Sequence, residues 1–136
     1  MPQDTVHPDT PHALYDQHGY SPAVKANGLL FVSGQVGARP DGSPEPQFED
    51  EVRLAFSNLK DVLEAAGCSF ADVVDLTIFM IDPEPKMELA LAALREAWPA
   101  KPYPAVTAVG VTWLAGFRFE IKVVATLPSS RDGEVR

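Results

Sequence analysis

The sequence predicts an α+β domain of order ββαβαββ, a mixed sheet with two helices on one face. Three observations predict it. Two segments carry apolar residues at helical spacing, and each such stripe needs an apolar surface to cover. Five segments are β-branched or alternate with period two. Asn27-Gly28 sits between the first two of these, and prolines and glycines separate the others.

Residues 1–19 carry Pro2, Pro8, Pro11 and all three histidines, and read as a loosely held arm. His7, His12 and His18 lie there without a cysteine or a fixed frame, so no metal site is expected. Strands follow at 20–26 and 29–37, joined at Asn27-Gly28, where both central residues of the turn must accept positive φ. Residues 38–47, with Asp41-Gly42 and three prolines, form a loop. The first helix runs over 48–66, with Val52, Ala55, Phe56, Leu59, Val62, Leu63 and Ala66 on one face. Glu49, Asp50 and Glu51 suit its first turn, and Gly67 is its stop.

Residues 73–81 form a β-branched, apolar strand interrupted only by Asp75 and Thr77, so it is expected to be central. Asp82 is placed to cap the second helix. That helix runs to about Trp98, with Met87, Ala90, Leu91 and Leu94 facing inward, and Pro99, Pro102 and Pro104 end it. Strands at 105–113 and 117–127 come last. The short Leu114-Ala115-Gly116 link implies a hairpin between them. In the final strand Phe117, Phe119, Ile121, Val123 and Ala125 alternate with Arg118, Glu120 and Lys122. The domain is therefore placed at 20–128, followed by a polar tail at 129–136. The sheet face away from the helices mixes polar and apolar residues, a reason to expect oligomerisation.

The totals exclude several function classes. A length of 136 residues with 46% hydrophobic content suits one domain with one core. A net charge of −8 and the lack of a basic stripe argue against nucleic acid as a partner. No apolar run reaches membrane-spanning length, and residues 1–20 lack the pattern of a secretory signal. The single cysteine, Cys68, suits a reducing cytoplasm. It reads as a small packing residue or as a reactive thiol. There is no phosphate-binding glycine loop, no metal-ligand spacing and no nucleophile elbow. Ser33, in Val32-Ser33-Gly34-Gln35, has no histidine placed to activate it.

Several segments resemble one family. Tyr20-Ser21-Pro22-Ala23-Val24 and Leu30-Phe31-Val32-Ser33-Gly34-Gln35-Val36-Gly37 resemble the opening signature of the RidA (YjgF) family. Ala66-Gly67-Cys68-Ser69-Phe70-Ala71-Asp72-Val73-Val74 is similar to its middle segment. Pro104-Ala105 and Phe119-Glu120-Ile121-Lys122-Val123-Val124-Ala125 resemble its closing part. The likeness covers residues 20–127 in order. It implies a chorismate-mutase-like fold, a homotrimer with a cleft between each pair of subunits, and no cofactor. It also implies hydrolysis of reactive enamines and imines to 2-oxo acids and ammonia. In active members an arginine clamps the substrate carboxylate, and a glutamate helps hold the attacking water.

Glu120 matches that glutamate and is the candidate general base; it also reads as one charge on a face shared with Arg118 and Lys122. Tyr20, Ser33 and Gly34 match positions at the family cleft. Tyr20 also reads as an edge aromatic, and Ser33 as a hydroxyl satisfied by backbone. The departures are as informative. Val106 stands in place of the family's arginine and Ala108 in place of a cysteine. Leu91 and Leu94 replace an asparagine and a tyrosine, and the closing link is about one residue shorter. A valine cannot bind a carboxylate, so either another cation enters the cleft or the ligand has changed. Lys25, Arg39 and Lys101 are the candidate cations, and each also reads as a solvated surface charge. Trp98 and Trp113 could line a binding surface or pack in a core or subunit contact.

Three functions are therefore carried forward. One is a hydrolase of enamine or imine metabolites with an altered substrate. One is a non-catalytic trimer that binds a small metabolite. The third is an endoribonuclease, which the acidic charge opposes.

Overall fold

The computed structural model describes residues 4–128, so the expected tail at 129–136 lies outside the described residues. The elements are β1 (Asp4–Val6), α1 (Leu14–His18), β2 (Ala23–Ala26), β3 (Leu29–Val32), β4 (Gln35–Val36), α2 (Phe48–Ala65), β5 (Val73–Ile81), α3 (Met87–Ala97), β6 (Ala105–Val111) and β7 (Phe119–Thr126). The sheet runs β1-β2-β3-β7-β5-β6, with β4 also pairing β7. Only β5 and β6 are parallel, which makes the sheet mixed.

One face of the sheet forms the core. Leu30, Val32, Leu76, Ile78, Met80, Ile121 and Val123 pack against Val52, Ala55, Leu59, Val62 and Leu63 of α2 and Ala90 of α3. Each large side chain fully buried there contributes roughly 1.5–3 kcal/mol. The β2–β3 hairpin turns at Asn27 and Gly28, with φ of 53° and 79°, as a two-residue turn of this kind requires. α2 ends in a Schellman motif: Cys68 N donates to Leu63 O and Gly67 N to Glu64 O, with Gly67 at φ 77°. β5 lies between β7 and β6, the central position expected.

Several sequence expectations need correction. The loosely held arm is built into the fold from residue 4. β1 pairs β2 along the sheet edge, and Val6, His12, Leu14 and Tyr15 are buried. Val6 pairs with Ala23 and Tyr15 bonds Gln35, partners distant in sequence, so local pattern does not show it. The strand expected at 29–37 breaks at Ser33-Gly34. Four steps from Phe31 to Gln35 oppose three from Val124 to Ile121, a one-residue bulge.

The closing hairpin is also absent. β6 and β7 lie on opposite sides of β5, with Val111 beside Ile81 and Phe119 beside Met80, so the link crosses the end of β5. α3 is the crossover that the parallel β5–β6 pair requires. Finally, Asp82 makes no capping bond. It sits at φ 48°, and Lys86 Nζ donates to the carbonyls of Ile81 and Asp82 instead.

Candidate functional site

The bulge at Ser33-Gly34 and the paired strand β7 set the surroundings of Glu120. Alternation along β7 buries Phe119 and Ile121 and turns Glu120 to the opposite face, beside Val36 of β4. Glu120 opens on a concavity of about 440 Å³, which Tyr20, Gly34, His18, Trp113 and Phe117 also line. The backbone at Gly34 runs so close that a Cβ there would lie 2.9 Å from Glu120 Cγ and closer still to its carboxylate. Glycine is therefore what admits the carboxylate.

Burial pushes the Glu120 carboxyl above its ordinary range, and the positive charge of Lys122 partly opposes this. Burial also raises the Tyr20 phenol, and the negative charge of Glu120 raises it further. A buried polar chain runs beside the bulge. Tyr15 Oη donates to Gln35 Oε1 at 3.0 Å, and Gln35 Nε2 donates to Ser33 O at 3.0 Å. Burial pushes the Tyr15 hydroxyl up to about 12, so it stays a donor. Tyr15 stacks on His12 and meets Tyr20 edge to face at 5.2 Å between centroids. Ser33 Oγ donates to Ser21 O at 2.6 Å, so its proton is committed to the backbone and it braces the bulge.

A second buried carboxylate fixes where β7 begins. Glu51, in the first turn of α2, is fully buried. Its Oε1 accepts from Arg118 Nε at 2.7 Å, and its Oε2 accepts from the backbone N–H groups of Arg118 and Phe119. Sequence reasoning placed Glu51 with Glu49 and Asp50 as one of three dipole acids. Only the tertiary structure separates it from them.

The remaining candidates lie elsewhere. Val106 and Ala108 pair with Leu76 and Ile78, whose side chains are in the helix-side core, whereas Glu120 pairs with the outward Phe79. Within one chain the two sets occupy opposite faces of the sheet. Val106 instead lines a groove of about 540 Å³ with Leu91, Leu94, Arg95, Trp98 and Tyr103. Leu91, expected to face inward, is 38% exposed on this groove, and Ala90 takes the core position. Among the described residues, no three His, Cys, Asp or Glu side chains are grouped as metal ligands.

Comparison with known proteins decides the family. The family model described as Endoribonuclease L-PSP matches residues 10–127. The chain is 56% identical over 123 residues to the RutC family protein YjgH of Escherichia coli, covering 90% of this chain and 94% of the relative. The chain belongs to the RidA (YjgF) family. A solved structure of protein YjgH superposes with a TM-score of 0.91 at 54% identity, covering 94% of this chain and 98% of the other. A 2-iminobutanoate/2-iminopropanoate deaminase of Dermatophagoides farinae is 32% identical over 123 residues, covering 87% and 93%.

The RidA-family frame makes the cation question concrete. Lys25 lines a different concavity with Asp4, Asn27 and Leu127. Arg39 donates to Ser43 Oγ within the loop before α2. Lys101 is exposed and lines neither the Glu120 concavity nor the Val106 groove. The cation that does line the Val106 groove is Arg95, which sequence reasoning missed. Its signal was present: Leu91, Leu94, Arg95 and Trp98 stand at i, i+3, i+4 and i+7, one face of a helix. Cys68 is buried at the end of α2, with its thiol against the carbonyls of Ala66 and Thr126, a packing position.

Proposed function

We propose that this protein hydrolyses reactive imine or enamine metabolites, with a substrate altered by Val106 in place of the family's arginine. The observation that carries this reading is Glu120, a half-buried carboxyl with a raised pKa in a concavity that Gly34 keeps clear. A base poised nearer neutrality than an ordinary glutamate suits activation of water. Water adds to the imine carbon as the Glu120 carboxylate takes its proton. That proton passes to the nitrogen to give a carbinolamine. Glu120 then takes the carbinolamine hydroxyl proton and delivers it to the same nitrogen as the C–N bond breaks, leaving a carbonyl compound and ammonia. The deaminase relative supports the reaction class.

The same reading includes a homotrimer whose clefts each join the Glu120 half of one chain to the Val106 groove of another. Its support is that the two halves occupy opposite faces of one sheet. The face turned away from α2 and α3 also exposes Phe31, Val74 and Val109, which a second copy would cover. The partner is a small metabolite with no cofactor, and the setting is the cytoplasm. Among the described residues no helix is long and apolar enough to cross a membrane.

A coupled assay tests the reading. An amino-acid oxidase or dehydratase generates 2-iminobutyrate or 2-aminoacrylate in situ, beside imines of bulkier amino acids. Release of 2-oxo acid is compared without the protein, with it, and with Glu120→Gln and Val106→Arg. Acceleration lost in Glu120→Gln supports the hydrolase. Acceleration of the small imines only after Val106→Arg supports the altered substrate. Acceleration unaffected by Glu120→Gln sinks the mechanism.

The apolar groove of Leu91, Leu94 and Val106 favours a second reading, a trimer that binds a metabolite without turning it over. Ligand-dependent stabilisation with no hydrolysis of any imine would select it. The endoribonuclease activity in the family description fits least, because a net charge of −8 opposes RNA.

A further inference from the structure

Arg95 differs from the other arginines that the structure describes. Arg53 pairs with Glu49, Arg118 with Glu51, and Arg39 donates to Ser43. Arg95 makes no hydrogen bond, ion pair or ring contact among the described residues. Its own helix offers it no acid: positions i−4, i−3, i+3 and i+4 are Leu91, Ala92, Trp98 and Pro99. It nevertheless shares a helix face with Leu91, Leu94 and Trp98, and with Val106 it lines the groove between α3 and β6. Trp98 spends its one donor on Phe70 O at 2.8 Å, so toward the groove it offers an apolar ring. The groove is thus an apolar trough with one cationic side chain that has no partner among the described residues.

We propose that Arg95 is the carboxylate anchor of this protein, and that its ligand is a 2-oxo or 2-imino acid with a large apolar side chain. The planar guanidinium fork matches a carboxylate through two parallel hydrogen bonds. A single charge suits a monocarboxylate, and the leucines and valine around it suit an aliphatic or aromatic body rather than a methyl group. The proposal rests on the two-half cleft described above and names the substrate class that the cleft takes. It moves the anchor from the strand position filled by Val106 to the facing helix. The carboxylate is thereby displaced, and apolar surface is left where a small polar acid would otherwise sit.

Calorimetric titration tests this without any turnover. The probes are 4-methyl-2-oxopentanoate, phenylpyruvate, pyruvate and the uncharged amide of phenylpyruvate. They are titrated into the full chain and its Arg95→Gln and Arg95→Lys variants. Arg95 is solvent-exposed, so both variants are expected to fold, and their melting temperatures check it.

The two bulky acids should bind more tightly than pyruvate. Both should weaken about ten- to a hundredfold in Arg95→Gln, with partial retention in Arg95→Lys. The amide should bind both forms alike. Equal affinity of the acids for the unmodified chain and Arg95→Gln overturns the proposal, as does a preference for pyruvate or no binding of any acid. The hydrolase reading fails separately. Arg95-dependent binding with no imine hydrolysis leaves the anchor standing and removes the enzyme. Imine hydrolysis with KM unchanged in Arg95→Gln does the reverse.

Discussion

Gly34 holds open the space that the Glu120 carboxylate fills. A Cβ on residue 34 would come within 2.5 Å of Glu120 Cδ, inside van der Waals contact. Gly37, three residues on, is crowded differently. A Cβ there would meet the backbone of Glu51, at 2.8 Å from both its C and its Cα. One glycine makes room for a mobile side chain, and the other lets α2 settle on the strand.

Alanine at the two positions should therefore separate function from stability. In Gly34→Ala the obstructing group is the end of a flexible side chain, which can swing away. Stability should change by no more than about 1 kcal/mol. Imine hydrolysis should fall by about a hundredfold, because the base has left its place. In Gly37→Ala the obstacle is helix backbone, and overpacking of this kind costs about 1–3 kcal/mol. Urea titration and the coupled assay on both variants read the two effects. An unchanged rate in Gly34→Ala would remove Glu120 from the chemistry.

The pH dependence of Glu120 has a definite sign. Its pKa is raised in the folded protein, so between its unfolded and folded values the native state holds a proton that the unfolded state has released. Stability from this group is present below the unfolded pKa and is lost as pH rises through the folded one. Glu120→Gln removes that loss. The variant should be more stable than the unmodified protein at neutral pH, and the gap should close on acidification below the ordinary glutamate range. Denaturant midpoints across pH would show it. The acid limb of hydrolysis should likewise lie above the ordinary glutamate pKa, because the base must be ionised to accept a proton.

Glu51 and Arg118 should respond unequally to mutation. Removing the carboxylate in Glu51→Ala strands the Arg118 and Phe119 N–H donors and breaks a buried pair, a loss of about 3–5 kcal/mol. Arg118→Met leaves Glu51 two backbone donors, and the Arg118 side chain is 36% exposed, so the loss should be nearer 1.5–3 kcal/mol. Equal losses in the two variants would mean that the backbone bonds contribute nothing.

Whether a feature is legible in the sequence depends on where its partners lie. Asn27-Gly28 announced its turn because a two-residue hairpin needs positive φ at both positions, a local demand. α2 was legible because seven residues recorded one buried face. The segment around Val6, Leu14 and Tyr15 was not, since β1 and α1 are too short to carry a period, and their contacts lie far along the chain. β6 and β7 were read as a hairpin from their short link, yet β5-α3-β6 already spelled a parallel crossover. For the site, family resemblance brought Tyr20, Gly34 and Glu120 to one place. It did not show that Val106 faces the other side of the sheet, because the resemblance carries no strand register between β5, β6 and β7. Arg95 was overlooked because a cation in the last turn of a helix already has a reason to be there.

The placement of Glu120 and Val106 on opposite faces of the sheet gives the proposed trimer its own prediction. If each cleft takes Glu120 from one chain and the Val106 groove from another, then Glu120→Gln and Val106→Glu damage different halves. Each variant alone should be inactive, the first lacking its base and the second repelling a carboxylate. Co-expressed, they should form mixed trimers in which about a quarter of the clefts receive one intact half from each chain. Hydrolysis should return to about that fraction of the unmodified rate, in a species whose light-scattering mass is three times that of the chain. A single chain that supplied both halves of a cleft would give no recovery at any mixing ratio. Recovery therefore needs both the assembly and the split site. Neither a monomeric enzyme nor a trimer with self-contained clefts could produce it.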